Sequence, residues 1–165
     1  MKKILLLSDT HGFLDARIIK HIKEADEVWH AGDVGDIKVC DDILKRCANT
    51  KIVFGNIDNN VLRAEYKQNL FFDCEGVTVW ITHIGGYPPK YRGDIKRIIS
   101  ENNIDLFVCG HSHILKVIYD KGTSCLHMNP GAIGKYGIHQ VQTALKFQIE
   151  KGIIKDLNII ELERG

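Results

Sequence analysis

Short apolar runs alternate with segments of helical period along the first third of the chain. Ile4 to Leu7 are continuously apolar, the pattern of a strand buried on both faces. Leu14, Ile18, Ile22 and Ala25 then recur at helical spacing, with Lys20, Lys23 and Glu24 on the other side. "EVWH" (27–30) reads as a second strand, Ile37, Cys40, Ile43, Leu44 and Cys47 as another amphipathic helix, and "KIVFG" (51–55) as a third strand. This β-α-β-α-β opening predicts right-handed crossovers and a parallel sheet.

The pattern then becomes β-rich. "LFFDCEGVTVWIT" (70–82) predicts two strands around a turn at Glu75-Gly76, and Ile95, Ile98 and Ile99 a helix after the loop "GGYPPKYRGD" (85–94). "DLFVCG" (105–110) is a further strand, and "ILKVIYD" with "TSCLHM" a hairpin turning at Lys121-Gly122. "VQTALKFQIEKG" and "IIKDLNIIELE" pair across Lys151-Gly152. No repeat, low-complexity tract or linker interrupts the chain. The fold class expected is α/β, with two sheets and flanking helices forming a single domain over residues 1–165.

Behind five of the buried strands stand side chains able to bind a metal. Asp9 and His11 come after the first strand, Asp33 after the second, Asn56 after the third, His83 after the run "VTVWIT", and His111 and His113 after the run "LFVC". In open α/β sheets the carboxyl ends of strands border the ligand crevice, so these side chains can converge although they are far apart in sequence. Singly, D-x-H, G-D and G-N are ordinary turn chemistry; as an ordered set behind five strands they are not. Carboxylate, amide and imidazole donors without thiolate favour manganese, iron, zinc, nickel or cobalt over calcium. Two four-coordinate ions sharing one bridging carboxylate account for all seven donors. Such a pair generates hydroxide at neutral pH and stabilises both oxygens of a phosphoryl transfer.

Charge and cysteine content narrow the classes. Lys and Arg number 22 against 21 Asp and Glu, so no global field attracts nucleic acid or an anionic membrane. Cys40, Cys47, Cys74, Cys109 and Cys125 form no C-x-x-C pair and fit a reducing, cytoplasmic compartment. The apolar run after Lys2-Lys3 is too short for a signal-peptide core, and no stretch has the length of a membrane span.

"DTH" (9–11), "GD" (32–33), "GNID" (55–58), "TH" (82–83) and "GHSH" (110–113) resemble the signature of calcineurin-like metallophosphoesterases. "NPGA" (129–132) resembles a segment of the small bacterial and archaeal phosphodiesterase branch. The resemblance implies two mixed β-sheets packed as a sandwich and flanked by helices, with a dimetal centre at strand ends. It places Asp9, His11 and His113 on one ion, Asn56, His83 and His111 on the other, and Asp33 between them. It implies two divalent ions, manganese foremost, with nickel, iron, zinc or cobalt as alternatives. Catalysis would run through Asp33, Asn56 and His83, through the metals and the charge of the transition state.

The sequence departs from the family pattern twice. Ile57 stands where many members carry a histidine able to protonate a leaving group, and "HIGGYPP" (83–89) replaces "HGH". His30 and Asp58 are candidates for holding ligands in place, with a core histidine and a turn-closing aspartate as the competing accounts. Arg92, Tyr87 and His139 are candidate substrate contacts, and Lys135 and Tyr136 carry the same ambiguity. The reading is a metal-dependent phosphodiesterase acting on a small phosphodiester substrate. The alternatives are a phosphomonoesterase of the same fold and a protein-binding scaffold resembling the retromer subunit with this fold. Nucleic-acid hydrolysis has no basic track to support it, and homo-oligomerisation is left open.

Overall fold

The computed structural model describes residues 1–165. In chain order the strands are β1 (Lys2–Leu7), β2 (Glu27–His30), β3 (Thr50–Ile52), β4 (Asn69–Cys74), β5 (Val77–Thr82), β6 (Gly86–Tyr87), β7 (Lys90–Tyr91), β8 (Leu106–Val108), β9 (Leu115–Asp120), β10 (Cys125–Pro130), β11 (Val141–Glu150) and β12 (Ile153–Glu163). The α-helices are α1 (Ile19–Glu24), α2 (Ile37–Leu44), α3 (Asn60–Glu65) and α4 (Ile95–Glu101).

Two mixed five-stranded sheets pack face to face, with orders β12-β11-β1-β2-β3 and β4-β5-β8-β10-β9. β1, β2 and β3 run parallel, as the opening pattern predicts, and β11 closes on β1 antiparallel. β5, β8 and β10 are likewise parallel, with β4 and β9 antiparallel on the flanks.

The continuous apolar runs are explained by burial on both sides. In β1, Ile4 and Leu6 join Trp29, Val79, Ile81, Leu106, Val108 and Phe147 between the sheets. Leu5 and Leu7 point the other way, against Ile22 of α1 and Val39, Cys40 and Ile43 of α2. α4 lays Ile95 and Ile99 on Trp80 and Phe107, on the outer face of the second sheet. All five cysteines are buried and unpaired, and no helix is long and apolar enough to cross a membrane.

Three local features differ from the sequence pattern. The segment expected to be one helix from Leu14 to Ala25 begins as a 3-10 turn over Ala16–Ile18 before α1, with the Asp15 carboxylate accepting from Arg17 N–H. The loop 85–94 carries the two-residue hairpin β6–β7. α3 has no apolar periodicity to announce it, because only Leu62 of its six residues is buried. Its one local signal is Asn59, whose side chain accepts from Leu62 N–H as an N-cap.

Candidate metal centre

The carboxyl ends of β1, β2, β3, β5 and β8 deliver all seven expected donors to one end of the sandwich. Asp9, His11 and His113 form one cluster and Asp33, His83 and His111 a second, with donor atoms within 4.8 Å of one another in each. The Asn56 amide oxygen lies 3.0 Å from His111 Nδ1, which places it with the second cluster.

Reaching this arrangement strains the backbone. Asp9, His11, Asp33, His111 and His113 all have φ between 45° and 71°, the left-handed region. Each such residue costs about 1 kcal/mol or more, although Asp and His tolerate it better than branched residues. The tight loops also leave no room for side chains beside the ligands. A Cβ on Gly55 would collide with Asp33 Oδ1, and one on Gly110 with Ser8 Oγ and Asp9 Oδ2. That is the physical content of the G-N and G-H dipeptides.

Asp33 sits between the clusters. Its Oδ2 is 3.1 Å from His83 Nε2 and 3.6 Å from His11 Nε2, so one oxygen faces a histidine of each set. Its other oxygen is held by Ile57 N–H at 3.1 Å, which fixes the carboxylate plane. Asp9 Oδ1 is 3.2 Å from His113 Nε2 and 3.8 Å from His11 Nε2. Asp9 Oδ2 accepts from Ser8 Oγ at 2.6 Å and from His111 N–H at 3.1 Å.

The donors that point inward are unpaired. Asp9 Oδ1, His11 Nε2 and His83 Nε2 are buried without a hydrogen-bond partner, an expensive state for polar atoms. A cation removes that cost, and the mixed N/O donor set suits a divalent transition ion; the residues fit the metals that the sequence implies. Burial alone would raise the Asp9 carboxyl, but the imidazoles of His11, His113 and His83 hold it well below the usual carboxylate range. Burial likewise opposes ionisation of Asp33, but the adjacent His83 imidazole and the Ile57 N–H together outweigh it and lower its pKa. For His83 burial disfavours the charged ring, whereas Asp33 and Asp9 raise its pKa above the ordinary histidine value. In His111 burial and the neighbouring His83 act together to lower it.

Hydrogen bonds on the far ring nitrogens orient the ligands. His83 Nδ1–H donates to the Ala31 carbonyl at 2.7 Å, turning Nε2 toward the carboxylates. His139 Nε2–H donates to the Gly134 carbonyl at 2.7 Å, so its Nδ1 is an acceptor for His113 Nδ1–H at 3.3 Å. The other ring nitrogen of His113, Nε2, faces Asp9 Oδ1 at 3.2 Å. Both ring nitrogens of His139 are thus engaged by protein, behind His113 rather than in open space for substrate.

The other sequence candidates separate cleanly. His30 hydrogen-bonds to no donor side chain: Thr10 Oγ1–H donates to the Val34 carbonyl and accepts from His30 Nε2–H, while His30 Nδ1 accepts from Gly32 N–H. It is a neutral core histidine, pushed by burial down to about 4, that ties the loop after β1 to the loop after β2. Asp58 is buried and accepts from Val34 N–H at 3.1 Å, Gly35 N–H at 2.8 Å and Gly55 N–H at 2.8 Å. One carboxylate therefore joins the Asp33 loop to the Asn56 loop. Tyr87 and exposed Arg92 line a recess beside His111 and Ser112, with the Tyr87 hydroxyl bonded to Ser112 Oγ. Ile57 is 47% exposed, and its contribution to the site is its backbone N–H.

Several supporting residues carried no separate signal in the sequence. Arg63 of α3 donates to the carbonyls of Asp58, Gly55 and Asn56, holding the G-N turn from behind. Asn129 of the NPGA segment donates to the Gly110 carbonyl at 2.9 Å and to Ser112 Oγ at 3.2 Å, bracing the G-H-S-H loop. Thr10 lies inside the first motif and Ser8 directly before it, so their position could have marked them.

Comparisons with known proteins identify the family and the fold. The model of the calcineurin-like phosphoesterase superfamily domain matches residues 1–152. The chain belongs to that superfamily. No curated protein sequence matches this calcineurin-like phosphoesterase significantly. Among solved structures it is similar to an archaeal phosphodiesterase, at 21% identity over 97% of this chain and 99% of that one, with a TM-score of 0.76. A predicted phosphoesterase from Streptococcus pneumoniae aligns at 21% identity over 99% and 90% of the two chains, with a TM-score of 0.69. Vps29 from Entamoeba histolytica, solved as a zinc complex, gives 14% identity over 99% of each chain and a TM-score of 0.77. At these identities the neighbours establish a shared fold: two mixed sheets flanked by few helices.

Proposed function

We propose that residues 1–165 act as one unit, a phosphodiesterase that uses two divalent metal ions to hydrolyse a small phosphodiester. The observation that carries this reading is the placement of Asp33 Oδ2 between two donor clusters whose inward atoms are unpartnered. Asp9, His11 and His113 would hold one ion, and Asn56, His83 and His111 the other, with Asp33 shared. When bound, the pair supplies a hydroxide nucleophile at neutral pH and neutralises charge gathering on phosphorus.

The chain's own residues do the rest. Asp33 and Asp9 are kept ionised, His83 and His113 are aimed by hydrogen bonds on their far nitrogens, and the Asn56 amide faces the same opening. No side chain at Ile57 can hand a proton to a leaving group, which favours diesters with stable leaving groups over alkyl monoesters. The Vps29 neighbours make a protein-binding scaffold the rival reading. A scaffold has no need of seven donors in register, and this chain retains every one.

The test is metal analysis of protein purified without chelator, followed by bis(4-nitrophenyl) phosphate and 4-nitrophenyl phosphate assayed with manganese, nickel, iron, zinc and cobalt in turn. Two ions per chain and faster diester turnover, abolished by chelation and restored by metal, are expected. Full activity in metal-free protein, or no turnover with both sites filled, overturns the proposal.

A further inference from the structure

On the His113 side of the centre the loop after Gly134 makes a wall that the hydrolytic chemistry does not use. An open trough runs between His111-Ser112-His113 and this loop, and Lys135, Tyr136, Ile138 and Arg164 line it. No acidic side chain lines it, so two cations stand unopposed at its edge. The Tyr136 ring is 70% exposed, and its centroid lies 4.9 Å from that of His11, tilted by 31°. Ile138 beside it is 96% exposed. The Lys135 ammonium lies over the Phe13 ring, 4.4 Å from its centroid, on the same side of the centre.

The wall is built rather than loose. Arg164, one residue past β12, donates from Nη1 to the carbonyls of Gly137 and His139 and clasps the loop. His139 bonds Gly134 and His113 at its other end. Gly137 has φ of 127° and passes so close to His113 that a Cβ there would strike the ring. The backbone that carries Tyr136 and Ile138 is therefore held beside the first donor cluster, with Lys135 and Arg164 at its edge.

We infer that this trough receives the retained arm of the substrate, and that the arm carries a planar ring and an additional anionic group. The inference rests on the phosphodiesterase reading and narrows its substrate class. With the phosphoryl group at the two clusters, the arm turned toward His113 meets Tyr136 first. The ring stacks on Tyr136 against Ile138, and the second anion lies by Lys135 and Arg164. Water's oxygen forms the new bond to phosphorus as the bond to the other arm breaks. That arm leaves as its oxyanion, one water proton passes to solvent, and the retained arm stays behind as a phosphomonoester that keeps the other.

Three diesters with one leaving group test this: 4-nitrophenyl methyl phosphate, 4-nitrophenyl phenyl phosphate and 4-nitrophenyl 4-carboxyphenyl phosphate. In the metal-loaded protein, kcat/KM divided by each uncatalysed rate should rise roughly tenfold from methyl to phenyl, the scale of one aromatic stack. It should rise again by up to about fivefold from phenyl to carboxyphenyl, a rim charge effect that shrinks with added salt. Tyr136→Ala should collapse the phenyl-to-methyl ratio and Lys135→Gln the carboxyphenyl-to-phenyl ratio. Because Tyr136 also touches His11, only the ratios are diagnostic: a structural role lowers all three substrates together. Equal wild-type values, or ratios that survive both substitutions, overturn the inference. Calorimetric binding of methyl, phenyl and 4-carboxyphenyl phosphate to the metal-loaded protein reads the same ratios without turnover. If no diester is hydrolysed yet the binding ratios keep the expected order, the trough stands and the phosphodiesterase reading falls; flat binding ratios remove the trough.

Discussion

Asp58→Asn removes one oxygen from the carboxylate that joins the two halves of the candidate metal centre. In the native protein Asp58 Oδ2 accepts from Val34 and Gly55 N–H, and Oδ1 from Gly35 N–H. An asparagine keeps the pair on its remaining oxygen but turns an NH2 toward the Gly35 N–H, donor against donor. One charged hydrogen bond of about 1.5–3 kcal/mol is lost outright and two others become neutral, so a cost near 3 kcal/mol results. With a urea m-value of roughly 2 kcal/mol/M for a domain of this size, the midpoint should fall by about 1.5 M. Asp58→Ala is less informative, since three N–H groups without partners, two of them buried, would consume much of a stability of about 5–15 kcal/mol. The same bonds set the spacing of Asp33 from Asn56, so the asparagine variant should also bind metal about 10- to 100-fold more weakly at the second cluster. Urea unfolding of the metal-free protein and calorimetric metal titration give the two numbers. A variant with unchanged midpoint and unchanged affinity would refute the claim that Asp58 braces these loops.

The geometry dictates three other outcomes. Asp33→Ala should abolish binding of both ions, whereas His83→Ala should retain one at Asp9, His11 and His113; equal loss by calorimetry in folded protein would remove the bridging assignment. For diesters of graded leaving-group pKa, log kcat/KM should fall steeply, because no acid replaces the missing histidine at Ile57. A positioned acid is worth about a hundredfold to ten-thousandfold, so a flat plot with chemistry rate-limiting would reveal a proton donor elsewhere. His127 is buried, stacked on Phe107, and pushed by burial down to about 4. The unfolded chain, with histidine near 6.5, binds more protons between these values, so stability is full above about pH 6.5 and is lost as pH falls through 4. His127→Phe should remove up to about 3 kcal/mol of that acid loss in urea unfolding from pH 7 to 4; an unchanged pH slope would contradict the assignment.

Strand identity and the donor set were legible because both are local. A strand buried on two faces must be continuously apolar, and a ligand at its carboxyl end must come next in the chain, so Ile4 to Leu7 with Asp9 and His11 behind them reads directly. Gly32, Gly55 and Gly110 were visible for the same reason, as the price of close approach. Helix α3 was not, since a six-residue helix with a single buried side chain leaves no period to detect.

Tertiary structure alone decided the pairing of donors and the roles of their supports. His111 N–H reaches Asp9 across 102 residues, and the strand order that brings them together is written in no single segment. Whether His139 meets substrate or props His113, and whether His30 meets a metal ligand or the loops behind it, depends on which neighbour each ring nitrogen finds. Nothing in the sequence pattern singles out Arg63 or Arg164, which become clasps only because loop carbonyls lie within their reach. Periodicity records how much of a residue is buried, and hydrogen bonds record against what; the second quantity exists only once the two sheets have packed.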